Sequence, residues 1–139
     1  MTERLRVKIE KIKEYHKTLK DMGQDCEEKF LKDIVYRGAL LHYLYLIADS
    51  CITLAELIIR DRNLRTPQTY QDTIDILGEN NIIPASFAYE FAKIASFRNF
   101  LAHDYEKIDY LKICRDALRN LADIETYIKY IEQNYQGRG

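Results

Sequence analysis

Two prolines and five glycines in 139 residues leave little room for a turn-rich architecture and point to long helices with few breaks. The three cysteines, Cys26, Cys51 and Cys114, are scattered, odd in number and without metal-ligand spacing. They argue against a zinc site and a disulfide framework, and are expected to be buried small apolar residues. No run approaches the roughly 18 apolar residues of a membrane span, and the opening "MTERLRVKIEK" has no signal-peptide core. The expected location is therefore the cytoplasm, away from membranes. Neither sign of charge is in excess: 21 Lys and Arg against 22 Asp and Glu give a net charge of −1. That excludes a broadly basic nucleic-acid binder but not an enzyme holding RNA in one local basic cleft.

With 47% hydrophobic and 31% charged residues the composition is globular. Apolar residues recur with helical period almost throughout, and no segment alternates as a strand would. A first helix is expected from the N-cap Thr2 to about Lys20, with Leu5, Ile9, Ile12 and Leu19 on one stripe. Asp25 and Glu28 form a capping-box pattern. The next segment runs to Asp61, with an expected break near Leu31–Asp33 and an inner face of Phe30, Ile34, Leu41, Tyr45, Ala48, Ile52, Ala55 and Ile59. A short helix over "TYQDTIDILGENN" is expected to close at Gly78 and two asparagines. Pro84 opens "PASFAYEFAKIASFRNFLAH", and Asp109 can cap a last helix striped by Ile113, Ala117, Leu121, Ile124, Ile128 and Ile131. The reading is all-α, an up-and-down bundle of about five helices, with one domain over residues 1–135 and a flexible tail at 136–139.

"FRNFLAHDY" stands out. Phe87, Phe91, Ile94, Arg98 and Leu101 lie nearly in line on a helix, so Arg98 sits on an apolar stripe. A permanently charged group there needs a partner, an acid on a facing helix or across a subunit boundary, or else a phosphate to bind. His103 lies five residues on, about 140° around the same helix. The two can cooperate only if the helix ends before His103 or if each meets its counterpart from another chain. His16 and His42 are expected to pack or face solvent, and the eleven tyrosines to be amphipathic packing residues. "RDRNLR", with Arg60, Arg62 and Arg65, reads as a solvated helix end that could also touch a phosphate backbone.

The stretch "RNFLAHDY" resembles the Arg-x4-His-x-Tyr signature of HepT-like toxins in the HEPN superfamily of α-helical ribonucleases. The flanks are similar too. "FLKDIVYRGALLHYLYLIADSCITLAELII" looks like the family's long helix region, and the short helix, "LxExxII" connection and motif helix follow in the usual order. The resemblance implies a homodimeric HEPN-like bundle, the toxin of a type VII-like toxin–antitoxin system, that cleaves RNA in a shared cleft without metal or cofactor. Arg98 and His103 would be catalytic, with Asn99 and Asp104 supporting them. Tyr105 would accept AMP from an MntA-like minimal nucleotidyltransferase antitoxin. Whether the RNA is transfer or messenger RNA is not encoded in the motif. The alternatives are a non-catalytic HEPN module that binds a nucleotide or assists a partner, and a structural helical dimer in which Arg98 makes an interfacial ion pair.

Overall fold

The computed structural model describes residues 1–103 and 109–137, and all regular structure among them is helical. In chain order the elements are α1 (Glu3–Gly23), α2 (Cys26–Lys29), α3 (Ile34–Asp61), α4 (Tyr70–Glu79), α5 (Ala85–Phe91), α6 (Ile94–His103) and α7 (Tyr110–Gly137). The expected five-helix pattern is present with two refinements. The break before Asp33 isolates α2 as a single turn, and the expected motif helix divides into α5 and α6. At that division the backbone tightens, with Lys93 N–H donating to Glu90 C=O and Ala95 N–H to Ala92 C=O. Such i to i−3 bonds overwind a helix and interrupt its regular ladder. At the other end, α7 continues to Gly137, two residues beyond the expected domain boundary at 135.

Most helix ends follow from local chemistry. The hydroxyl of Thr2 accepts from Leu5 N–H, and the carboxylate of Asp33 accepts from Val35 and Tyr36 N–H. Asp109 accepts from Leu111 N–H at 3.1 Å. These are side chains satisfying amides that a helix leaves unpaired. Asp25 is the exception, because its side chain makes no capping hydrogen bond. It pairs instead with Lys29 one turn on, at 3.7 Å. Asn63 and Asn81 take the left-handed conformation, φ 54° and 56°, just past α3 and α4. Behind them Leu64 N–H reaches Ile59 C=O and Ile82 N–H reaches Leu77 C=O, the six-to-one bond that closes a helix around such a residue.

Gly78, by contrast, does not terminate α4. A Cβ placed on it would lie 2.6 Å from the Cβ of Ala88 in α5. The glycine is there so that two helices can touch. Gly78→Ala is therefore expected to destabilise the protein by about 1–3 kcal/mol, despite alanine's better helix propensity. Gly78→Ala combined with Ala88→Gly should recover much of that loss in a denaturation midpoint. Equal stability of Gly78→Ala and the parent would show that the contact is not tight.

Helix α3 is the centre of the bundle. It packs against α1, α4 and α6, while α7 packs on α1. By length and composition α3 could cross a membrane, yet 56% of its most apolar window is buried inside the protein, as suits a central helix that is apolar nearly all round. Leu40, Leu44, Ile47, Cys51, Leu54 and Ile58 are buried along with the expected Ala48, Ile52, Ala55 and Ile59. Ile34 departs from the expected inner face: it is 72% exposed, while Tyr36 of the same turn packs against the core and donates its hydroxyl to Met22 C=O of α1. The stripes of α1 and α7 are buried as read. Tyr127 of α7 is fully buried, stacks on Phe91 at 4.4 Å and donates its hydroxyl to Cys51 C=O at 2.9 Å. Its one polar atom is thereby satisfied inside the core.

The cysteines are a correction. Cys51 is free and buried, and burial pushes its thiol pKa up. Cys26 and Cys114, however, form a disulfide, with Cα atoms 5.7 Å apart and 88 residues between them in sequence. Both are 2% exposed, so burial was read correctly and pairing was not. The bond joins the single turn α2 to the early part of α7, a proximity that exists only once the bundle has formed.

Candidate active site

Helix α6 lays its apolar side against α3, burying Ile94, Ala95 and Leu101. Arg98 falls between them on the same side, with its side chain only 15% exposed. Its guanidinium is engaged on every nitrogen. Nε donates to Asp49 Oδ1 at 3.1 Å, one terminal nitrogen donates to the Tyr45 hydroxyl at 3.1 Å, and the other to Asn99 Oδ1 at 3.2 Å. Its faces meet two aromatic rings, with the central carbon 4.8 Å from the Tyr70 centroid and 5.2 Å from that of Tyr45. Partial burial opposes the charge, but the Asp49 hydrogen bond and the nearby Tyr45, Asp49 and Tyr70 outweigh it. The pKa of Arg98 is raised above its ordinary value.

A guanidinium carries five N–H donors. Among the described residues three are used, and two more remain to meet an anion. The acid on a facing helix is thus Asp49 of α3, within the same chain. Asn99 is exposed and contributes its carbonyl oxygen to the arginine.

His103 is the last residue of α6 and is exposed. The helix therefore does not end before it. Five helical steps turn the chain by about 500° and carry it about 7.5 Å along the axis, so Arg98 and His103 point in directions about 140° apart. One chain does not bring them together. Asp104 and Tyr105 lie outside the described residues.

Three site residues were not anticipated: Asp49, Tyr70 and the arginine-binding role of Tyr45. A signal for Asp49 did exist. It is the sole Asp, Glu, Lys or Arg between Arg37 and Glu56, in the most apolar part of the chain, where a lone charge needs a partner. Tyr45, one helical turn earlier, shares its face.

The other candidates resolve structurally. Arg65 of the "RDRNLR" cluster is held by Asp72 and Glu79, each at 2.8 Å, and its hydrogen bonds keep both carboxyls below their usual pKa. Arg62 stacks on Tyr135 at 4.2 Å. His16 Nε2 lies 2.8 Å from Leu121 C=O, and His42 faces solvent. Among the described residues no group of three or more His, Cys, Asp and Glu side chains is placed to hold a metal. A cleft of about 640 Å³ opens between α5–α6 and α7, lined in part by Phe97, Phe100, Lys112 and Arg119. Neither Arg98 nor His103 lines it, so it lies on another side of α6 from the arginine.

The family model for ribonuclease HepT-like proteins matches residues 7–131. The chain belongs to the HepT-like ribonuclease family. It is 26% identical over 125 residues to an mRNA nuclease HepT from Shewanella oneidensis, covering 90% of this chain and 93% of that one. In structure it is similar to a tri-AMPylated Shewanella oneidensis HEPN toxin solved in complex with its MNT antitoxin. The TM-score is 0.84 and the identity 27%, over 96% of this chain and 99% of that one. It is also similar to the toxin–antitoxin MntA–HpeT solved as a mutant, with TM-score 0.83 and 25% identity over 93% and 98% of the two chains. The HepT-like family assignment and the all-helical HEPN fold thus agree with the resemblance seen in "RNFLAHDY" and its flanks.

Proposed function

We propose that this HepT-like chain is the toxin of a toxin–antitoxin pair, a cytoplasmic, metal-independent endoribonuclease acting as a homodimer. The reading is carried by Arg98, a fixed cation on α6 with two N–H donors to spare among the described residues, placed one and a half turns before the exposed His103 in a chain of this family. In RNA the 2′-hydroxyl is an internal nucleophile. A base removes its proton, the 2′-oxygen attacks phosphorus, and the 5′-oxygen departs with a proton from an acid. The products are a 2′,3′-cyclic phosphate and a 5′-hydroxyl.

Histidine titrates in the range needed for either proton transfer, and a permanently charged arginine suits the negative charge that builds on the phosphorane. Because Arg98 and His103 diverge around one helix, a complete site takes its arginine and histidine from different chains. A symmetric dimer supplies both. The substrate class is RNA, transfer or messenger.

Regulation is assigned to Tyr105. An MntA-like minimal nucleotidyltransferase would transfer AMP from ATP to its hydroxyl, releasing pyrophosphate and a proton and placing a bulky anion two residues from His103, where it repels RNA phosphate as a phosphorylation would.

The test uses unmodified protein incubated with total transfer and messenger RNA in excess EDTA. Cleavage leaving 2′,3′-cyclic phosphate ends is expected. Failure of dimeric, unmodified protein to cut either pool would overturn the ribonuclease reading. In a second arm the protein is co-expressed with such a transferase. Wild type should gain the mass of AMP and lose cleavage, while Tyr105→Phe should gain no mass and keep cutting. Neutralisation of the phenylalanine variant by the same transferase would sink the modification reading.

A further inference from the structure

We infer that Asp49 is the positioning residue for Arg98: it sets the guanidinium's orientation so that the two unengaged N–H donors face the scissile phosphate. The inference rests on the ribonuclease reading and adds a residue outside the signature. Asp49 lies 49 residues before Arg98 in sequence and meets it only where α3 and α6 pack.

An arginine side chain is long and rich in rotamers, and an unconstrained one would cost entropy on each encounter with substrate. Here the rotation is removed before RNA arrives. The Asp49 carboxylate holds Nε, the Tyr45 hydroxyl and the Asn99 carbonyl oxygen hold the terminal nitrogens, and the rings of Tyr45 and Tyr70 lie within 5.2 Å of the central carbon. Two of these contacts come from the central helix, Tyr45 and Asp49, and of the two only Asp49 sets a full opposite charge against the guanidinium. Tyr70 belongs to α4, and Asn99 is the neighbour of Arg98 on α6 itself, so neither ties the guanidinium to the central helix.

A carboxylate beside a phosphate-binding cation has an electrostatic disadvantage, because it lowers the local positive potential. A purely structural ion pair between α3 and α6 would also set an acid at Nε, so the orienting role is read from kcat and not from stability. Misplacing a catalytic group by about 1 Å costs on the order of 10²-fold in rate, and that is the scale expected when the anchor is removed.

Asp49→Ala and Asp49→Asn separate the possibilities. Asparagine keeps the acceptor oxygen and loses the charge. Asp49→Ala is expected to remain folded and dimeric, to lose on the order of 10²-fold in kcat with little change in KM, and Asp49→Asn to recover a large part of the loss. In parallel, the Nε–H proton of Arg98, followed by 15N NMR, should exchange slowly in wild type and rapidly in Asp49→Ala. Unchanged exchange and unchanged kcat in Asp49→Ala would overturn the inference. So would a tighter KM with full kcat, which would make Asp49 a charge quencher. If wild type cuts no RNA yet loses its Nε–H protection on Asp49→Ala, the ribonuclease reading fails while the positioning of Arg98 stands.

Discussion

His103→Ala is expected to lower RNA cleavage by about 10²- to 10⁴-fold, the usual worth of a general acid or base, with little change in folding. The side chain is exposed at the last position of α6 and is not among the core residues, so its removal opens no cavity. Arg98→Ala should cost about 10²- to 10³-fold in kcat, the scale for losing one preorganised stabiliser of transition-state charge. It should also lower stability, because it leaves Asp49 and Tyr45 without their shared partner. The informative experiment mixes the two variants. If a working site draws Arg98 from one protomer and His103 from the other, a mixed dimer of Arg98→Ala and His103→Ala chains contains one intact pairing and regains measurable cleavage. If both residues act within one chain, every site in the mixture is defective and no activity returns. The 140° divergence along a continuous helix predicts recovery. Complete silence of the mixture, with heterodimers verified by mass, would defeat the cross-chain arrangement.

The second large effect concerns stability. Cys26 and Cys114 close a loop of 88 residues, for which the chain-entropy model gives about 4–5 kcal/mol of stabilisation. Reduction, or Cys26→Ser with Cys114→Ser, is therefore expected to lower the thermal midpoint by roughly 10–15 °C in a chain of this size. Both sulfurs are buried, so the reductant should act slowly unless the protein first opens. A midpoint identical with and without reductant, together with three titratable thiols after denaturation, would show that the pair is a dithiol. The cytoplasm assigned under the proposed function normally keeps thiols reduced. The oxidised and reduced forms should accordingly be prepared separately before any cleavage rate is compared.

Much of this architecture was legible because it is written in short-range chemistry. The periodicity of Leu5, Ile9 and Ile12 or of Ile124, Ile128 and Ile131 sets which face of α1 and α7 is buried. Caps such as Thr2, Asp33 and Asp109 act within three residues of themselves, so no knowledge of the rest of the chain is needed to place them. The signature Arg98, His103 and Tyr105 is compact for the same reason, and its spacing is visible without coordinates. Residues with two possible duties are not specified by such local signals. Of the expected stop at Gly78 and two asparagines, the asparagines close α4, with Asn80 as cap and Asn81 left-handed, while the glycine serves a contact with α5. Ile34 has the right period for the core, yet in the first turn of α3 it is Tyr36 that packs inward while Ile34 stays exposed.

By itself, then, the sequence determined the helical class, the stripes that become the core, the capped starts at Thr2, Asp33 and Asp109, and the motif that places the chain among the HepT-like ribonucleases. Only the tertiary structure decided the partners of those residues. Arg98 finds Asp49, 49 residues away, and Tyr70 across α4; Cys26 finds Cys114, 88 residues away; Arg65 is taken up by Asp72 and Glu79. Helical periodicity specifies which way a side chain faces, but not which other helix it faces. That choice is made when α3 is packed among α1, α4 and α6, because a largely buried charge such as Arg98 is tolerated there only beside an opposite one such as the partly exposed Asp49.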